Sequence, residues 1–452
     1  MSRLLSVPLA VAAALALTAP ASAATTVTVK GVPAAGPAKY DKTFVTKFGP
    51  KSAKTVLVLV PGYAGGAGDF ALLGEDLTSR VPGLQVWAVD RRSQALEDTS
   101  MFDQGQEPDT PLQAVRDYYL GWITNPDQTG PRFTPPSTDS LKFASEWGLP
   151  TALGDLRNVI RSAKRQGKRV ILGGHSLGAS MTTIYAAWDF DGRPGYRDID
   201  GMVLIDGGTL GTFARVPTAS GLRKRLAAVR QQPFADLVGL GLPWAQGVFA
   251  QLAGLYAMRA PLTTSPFWND PLLPAVFKPP FPVTNRAMLG YAFDKSTSPE
   301  SLALIHLRAG ALEATGEPRD WKGGEVSAIE RVALTFGSSP VNAVEWYFPQ
   351  RLSIDVDAAH DLNRNRVAGS LGLRTWHLRD VDVPLYAFQT DLTKGRVLRG
   401  ARRFIERSSV RRSESKLVDG SSDTSHLDPL TASPSKSEFL DTVAPFLRRT
   451  MR

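Results

Sequence analysis

Val170-Ile171-Leu172-Gly173-Gly174-His175-Ser176-Leu177-Gly178-Ala179 decides how this chain folds. An unbroken apolar run ends in a glycine pair. A serine follows, with Gly174 and Gly178 two positions to either side. A helical pattern, Ala179 to Phe190, begins at once. Apolar residues without alternation suit a strand buried on both faces. G-x-S-x-G by itself arises by chance. Between a strand and a helix it marks a sharp turn that holds a serine in a strained conformation, with its hydroxyl at the carboxyl end of the sheet. Small neighbours let that turn close, and Ala179 and Ser180 let the helix lie near the sheet.

Working outward, short β-rich runs alternate with helical patterns, which points to a mostly parallel sheet flanked by helices. The expected strands are 26–30, 43–48, 55–60, 86–89, 169–173, 202–205, 385–389 and 415–418. Helical patterns cover 70–79, 152–166, 177–190, 396–406 and 436–448. Two stretches break the rhythm. Residues 91–150 separate a strand from a helix and contain Asp98, Asp103 and Trp122. Residues 207–380 separate two core strands, too far for a loop. They hold helical patterns such as 243–258 and read as a mainly helical cap inserted between the sixth and seventh strands.

A serine hydroxyl is a weak nucleophile until a base takes its proton. The chain has no cysteine and five histidines: His175, His306, His360, His377 and His426. His175 lies within the turn and is expected to point elsewhere. His306, His360 and His377 lie in the insertion. His426, in Ser421-Ser422-Asp423-Thr424-Ser425-His426-Leu427-Asp428, follows the last strand at the end where a base is needed. The acid that orients it is assigned to Asp391, after strand 385–389, with Asp206, after strand 202–205, as the alternative. Developing negative charge on a carbonyl oxygen needs donors. The backbone N–H groups of Leu177 and of Tyr63, in Pro61-Gly62-Tyr63-Ala64-Gly65-Gly66, are the expected pair.

Composition narrows the classes further. In 452 residues, 43% are hydrophobic and 21% charged, so a packed core is expected and global disorder is not. Absence of cysteine excludes disulfides, thiolate nucleophiles and cysteine-ligated metals. The net charge of +9 is spread along the chain. Its densest stretch, Arg396 to Arg412, reads as a solvated helix face plus loop, and no nucleic-acid partner is expected. Asp355, Asp357, Asp361, Asn363 and Asn365 lack the glycine and terminal glutamate of a calcium loop, so no metal or cofactor is expected. Met1-Ser2-Arg3, the apolar run Leu4 to Leu17 and Ala21-Ser22-Ala23 form a secretory leader cleaved near Ala23. The run is short for a bilayer span, so the expected product is secreted or extracytoplasmic without a stable membrane span. The expected organisation is a leader (1–23), a first core part (24–206), the cap (207–380) and a second core part (381–452).

GHSLG, PGYAGG and the late SHLDP loop together resemble the α/β-hydrolase superfamily. The likeness covers about residues 43–206 and 381–452 and leaves the insertion unmatched. It is nearest to secreted bacterial lipase- or esterase-like members with a cap. It implies the sheet order 1-2-4-3-5-6-7-8 with strand 2 antiparallel. Many members carry His-Gly where Pro61-Gly62 stands. The expected activity is hydrolysis of carboxylic esters, on a small-molecule or lipid-like substrate, through an acyl-enzyme on Ser176. The cap residues Phe234, Leu237, Val238, Trp244, Phe249, Leu252, Tyr256, Phe267, Trp268, Phe277 and Phe281 suit an apolar substrate or the cap's own core. An exo-acting peptidase or amidase is the alternative, and it would need acids such as Glu313, Glu317, Asp320, Glu325 or Glu330 at the site. A non-catalytic binding protein on the same fold is the third reading. A dehalogenase or epoxide hydrolase needs Asp where Ser176 stands.

Overall fold

The structure, a computed structural model, describes residues 24–213, 215–324 and 326–452. The expected leader, 1–23, and Glu325 lie outside the described residues. The described residues form ten strands: β1 (Thr25–Lys30), β2 (Lys42–Phe48), β3 (Thr55–Val60), β4 (Leu84–Asp90), β5 (Arg169–His175), β6 (Gly201–Ile205), β7 (Gly310–Gly316), β8 (Arg319–Gly323), β9 (Leu385–Gln389) and β10 (Ser415–Asp419). Eight of them make one sheet in the order β1-β2-β4-β3-β5-β6-β9-β10, and β7 and β8 pair separately. The β1–β2 and β2–β4 pairings are antiparallel and the others in the large sheet parallel. This is the expected order, with β7 and β8 of the insertion preceding the seventh core strand in the chain.

The helices that matter are α1 (Ala71–Arg80), α2 (Leu149–Arg165), α3 (Leu177–Ala187), α4 (Ala219–Gln231), α5 (Ala245–Arg259), α6 (Asn285–Phe293), α7 (Ile329–Gly337), α8 (Gln350–Ala358), α9 (Arg396–Arg407) and α10 (Glu438–Thr450). Side chains alternate across a strand, and β3 shows what that does. Leu57 and Leu59 join one apolar layer with Leu73 and Leu77 of α1 and Phe439 and Leu447 of α10. Val56, Val58 and Val60 join the other, with Leu153 and Ile160 of α2, Met181 and Ile184 of α3, and Phe404 of α9. Both faces of β3 are therefore covered, which is why it is apolar throughout. In α9 the same logic sends Val397, Leu398, Ala401 and Phe404 inward and leaves the arginines outside.

The insertion between β6 and β9 is not one separate body. Helix α4 packs on α8 through Leu222, Val229 and Ile354. Phe348, Leu352, Val356 and Leu362 share the apolar layer of α2 and α3. The part between them closes over the carboxyl end of the sheet. There α5 crosses α7 at two glycines, where a Cβ on Gly254 would lie 2.3 Å from the Gly337 nitrogen. The long segment after β4 belongs to the same cover. Phe133 meets Trp244 edge-on at 5.1 Å and Trp346 at 5.6 Å, and Tyr119 meets Trp346 edge-on at 5.7 Å. Three segments far apart in the chain thus build one aromatic pile. No helix among the described residues is long and apolar enough to cross a membrane.

Candidate active site

Ser176 sits between β5 and α3 with φ 54° and ψ −119°, a conformation that side chains normally avoid. Close approach of backbone on both sides explains its glycines. A Cβ on Gly174 would lie 2.4 Å from the Gly178 carbonyl carbon, and one on Gly178 would lie 2.0 Å from the Val60 oxygen. The Ser176 N–H donates to the Ile205 carbonyl at 2.9 Å, so the turn stays in register with β6. The side chain is buried, and its hydroxyl opens into a cavity of about 280 Å³.

His426 lines the same cavity. Its Nδ1 lies 2.6 Å from Oδ2 of Asp206. Asp206 is fully buried, and its other oxygen accepts the Thr390 N–H at 2.8 Å. The Thr390 hydroxyl donates to Oδ2, the oxygen that faces His426. The expected acid, Asp391, is corrected by this geometry. Ile205 pairs with Phe388 in register, so Asp206 emerges directly at the end of its strand. Asp391 stands three residues beyond Phe388, in a turn that carries it outward to Lys295 and Arg308 of the insertion. It also accepts the Ser425 hydroxyl at 3.0 Å. Asp391 therefore braces the loop that carries His426 without reaching the imidazole.

His175 does not point away as expected. It lines the cavity, its ring lies 4.3 Å from that of His426, and its Nε2 lies 2.9 Å from the His426 carbonyl oxygen. Burial, with His426 alongside, pushes its pKa well below the ordinary histidine value. A neutral ring that donates from Nε2 fits this contact. Asp428 fixes the other side of the loop through the N–H groups of Ser425 (2.7 Å) and Arg308 (3.0 Å). His306, His360 and His377 are engaged elsewhere, with the Pro299 carbonyl, the Gly211 N–H and Asp189 respectively.

The turn Pro61–Gly66 lies across from Ser176, and a Cβ on Gly62 would come within 3.2 Å of the Ser176 Cβ. Neither the Tyr63 nor the Leu177 amide N–H has an acceptor among the described residues. Sequence reasoning missed the side chain that shapes this turn. Arg91, directly after β4, donates to the carbonyls of Pro61 (2.7 Å), Gly62 (2.9 Å) and Gly65 (3.1 Å) and pairs with Glu345 at 2.6 Å. Drawing three carbonyls to one guanidinium turns that side of the loop towards β4. The insertion grips the turn too. Gly66 N–H donates to the Ala343 carbonyl (2.7 Å), and Glu345 N–H to the Ala64 carbonyl (2.9 Å). No local signal marks these contacts, because each joins segments remote in sequence.

The cavity walls are apolar: Val238, Phe249, Phe267, Phe277, Met288 and Phe336 among them. Of the cap residues singled out in the sequence, Leu237, Val238, Phe249, Phe267 and Phe277 face the cavity. Phe234, Trp244, Leu252 and Tyr256 are buried in the apolar layer behind them. None of Glu313, Glu317, Asp320 and Glu330 lines it. Asp320 is held by Arg286, which lowers its pKa to about 2. Asp355 and Asp357 pair with Arg351 and Arg225.

No protein-family model matches the sequence, and no curated protein matches it. Solved structures that resemble it include a putative lipase from Sulfolobus solfataricus, with 16% identity over 94% of each chain and a TM-score of 0.49. An esterase from Thermogutta terrifontis matches at 11% identity over 95% of this chain and 100% of its own, with a TM-score of 0.41. Epoxide hydrolase A from Mycobacterium thermoresistibile matches at 14% identity over 94% of this chain and 98% of its own, with a TM-score of 0.43. At such identities the fold rests on the chain's own features: the sheet order, its two antiparallel pairings at one edge, and the strand–serine–helix turn. By these features the chain has the α/β-hydrolase fold.

Proposed function

We propose that this protein is a serine hydrolase that cleaves carboxylic esters with an apolar body, and that it works outside the cytoplasm after removal of residues 1–23. One observation carries the reading: Ser176, in its strained turn, and His426, backed by Asp206, open into one apolar cavity. In this reading the Ser176 Oγ attacks the ester carbonyl carbon while His426 Nε2 takes the hydroxyl proton. Asp206 holds the imidazole by Nδ1 and stabilises its protonated form. The free N–H groups of Leu177 and Tyr63 receive the negative oxygen. The carbonyl re-forms, the alcohol leaves with the proton from His426, and an acyl-Ser176 remains. Water, deprotonated by His426, then releases the acid and restores the serine.

The fold's neighbours include proteins described as lipases, esterases and epoxide hydrolases. Ser176 favours the ester reading, since an epoxide hydrolase needs Asp there. The peptidase reading loses support because Glu313, Glu317, Asp320 and Glu330 do not line the cavity. The test is hydrolysis of p-nitrophenyl esters by the purified protein, with labelling by a fluorophosphonate. Both are expected, and both should vanish in Ser176→Ala. Labelling that persists in that variant would overturn the nucleophile assignment. Hydrolysis of aminoacyl nitroanilides in preference to esters would overturn the substrate class.

A further inference from the structure

Asp69 has no role in the chemistry described above, yet it lines the same cavity. It is 7% exposed, and among the described residues neither carboxyl oxygen has a hydrogen-bond partner. The carboxyl lies over Gly65, where a Cβ would approach its Oδ2 to 2.3 Å. Gly65 belongs to the turn that carries the Tyr63 amide, so Asp69 stands near the reacting end of the cavity rather than at its mouth.

The other polar side chains of the wall differ. Gln246 accepts from the Leu237 N–H (3.0 Å) and donates to the Glu345 carbonyl (3.1 Å). His175 and His426 hold each other and Asp206. Tyr63 packs its ring on Phe348 at 4.4 Å and is only half-buried. Ser301 is exposed at the rim. Besides Ser176, Asp69 is the buried polar side chain of this wall with no hydrogen-bond partner among the described residues.

A buried carboxyl without a partner is costly to the folded state. A ligand that supplies the missing bond removes that cost. We propose that Asp69 is a specificity residue that hydrogen-bonds a hydroxyl on the substrate, so that the preferred ester carries a hydroxyl on an otherwise apolar body. This rests on the ester-hydrolase reading and deepens it. Burial pushes the Asp69 pKa well above the usual carboxylate range, and neighbouring Asp90 adds to this against the opposing pull of Arg91. A neutral carboxyl offers one donor and one acceptor, which a hydroxyl matches on both counts. An ammonium, which only donates, would leave the O–H of that form without an acceptor.

The experiment compares kcat/KM for methyl octanoate, a set of its monohydroxylated isomers, its glycol ester and an aminated analogue. The full protein is expected to prefer at least one hydroxylated ester over methyl octanoate by about tenfold, the worth of one hydrogen bond in a site built for it. Asp69→Leu should reverse the order, with a lower kcat/KM for that ester and a higher one for methyl octanoate. Asp69→Asn, which keeps a donor and an acceptor in the same volume, should retain a preference of the same sign, and it covers the case in which the leucine variant fails to fold. The proposal is overturned if no hydroxylated ester is preferred, if the aminated analogue is preferred to all of them, or if both variants lower every substrate equally. The last result would mean that Asp69 only supports the turn. Absence of hydrolysis of every ester would instead sink the underlying ester reading.

Discussion

Nδ1 of His426 lies 2.6 Å from Oδ2 of Asp206, a carboxylate 220 positions earlier in the chain. The bond spans the whole insertion. It joins the end of β6 to the loop after β10, with β9 between them. Asp391 is nearer in sequence but faces Lys295 and Arg308. Asp206→Asn is therefore expected to lower kcat by about 10³–10⁴-fold, as when a triad imidazole loses its orienting carboxylate. Asp391→Asn should cost less than about tenfold, through a looser Ser425 loop. Steady-state kinetics on one p-nitrophenyl ester decides between them, and the opposite ranking would return the role to Asp391.

Arg91 offers a separate handle. Arg91→Lys keeps the charge but cannot reach three carbonyls and Glu345 with one planar fork. The expected result is a drop in kcat of about 10–100-fold with little change in KM, because in the proposed mechanism the turn it shapes carries a donor for the transition state rather than for the bound substrate. A rise in KM with unchanged kcat would place its effect on binding instead.

Gly178→Ala tests the turn itself. The added methyl would meet the Val60 carbonyl oxygen at 2.0 Å, and backbone cannot rotate aside as a side chain can. We expect a loss of about 1–3 kcal/mol in stability, read from denaturant unfolding, together with loss of fluorophosphonate labelling at Ser176. Normal labelling with normal stability would show that the turn can open without cost.

Buried carboxyls should pull stability down as pH rises towards neutrality, against His175 and His360, whose lowered pKa values act the other way. Burial raises the Asp90 pKa from 3.8 to about 7, with Glu345 adding to the shift and the Ala67 N–H opposing it. Glu97, Asp69 and Glu345 are raised as well, each chiefly by burial. A group whose pKa rises on folding stabilises the folded state fully below its unfolded value and ceases to do so as pH passes its folded value. Asp90 therefore contributes a decline between about pH 4 and pH 7. Asp320, lowered to about 2, acts only at more acidic pH. Melting temperatures measured from pH 4.5 to pH 8 should show Asp90→Asn gaining on the unsubstituted protein as pH rises; a constant difference would remove Asp90 from the account.

Much of this architecture was legible in the sequence because it is local. The TVLVLV run, the glycines around Ser176 and the polar loop around His426 each carry their reason within a few residues. The choice between Asp206 and Asp391 was not legible, since both follow neighbouring strands at the same edge. It turns on one residue against three after paired Ile205 and Phe388. Arg91 and Asp69 were missed because nothing near them in sequence says what they touch. The insertion was read as one cap because composition does not reveal that Phe348, Leu352 and Val356 go back to the sheet's own layer.

The hydrogen bonds from Gly66 to Ala343 and from Glu345 to Ala64, with the Arg91–Glu345 pair, bear on how the molecule could be rebuilt. The insertion does not perch on a finished catalyst. Its strip 342–345 is structural material of the candidate site, stitched into the turn opposite Ser176. A version trimmed to the sheet and its helices would leave that turn with half its fastenings cut. Grafting a foreign insertion to alter substrate choice would have to bring an equivalent of this strip with it, and of Lys295 and Arg308, which hold Asp391 and Asp428 at the His426 loop.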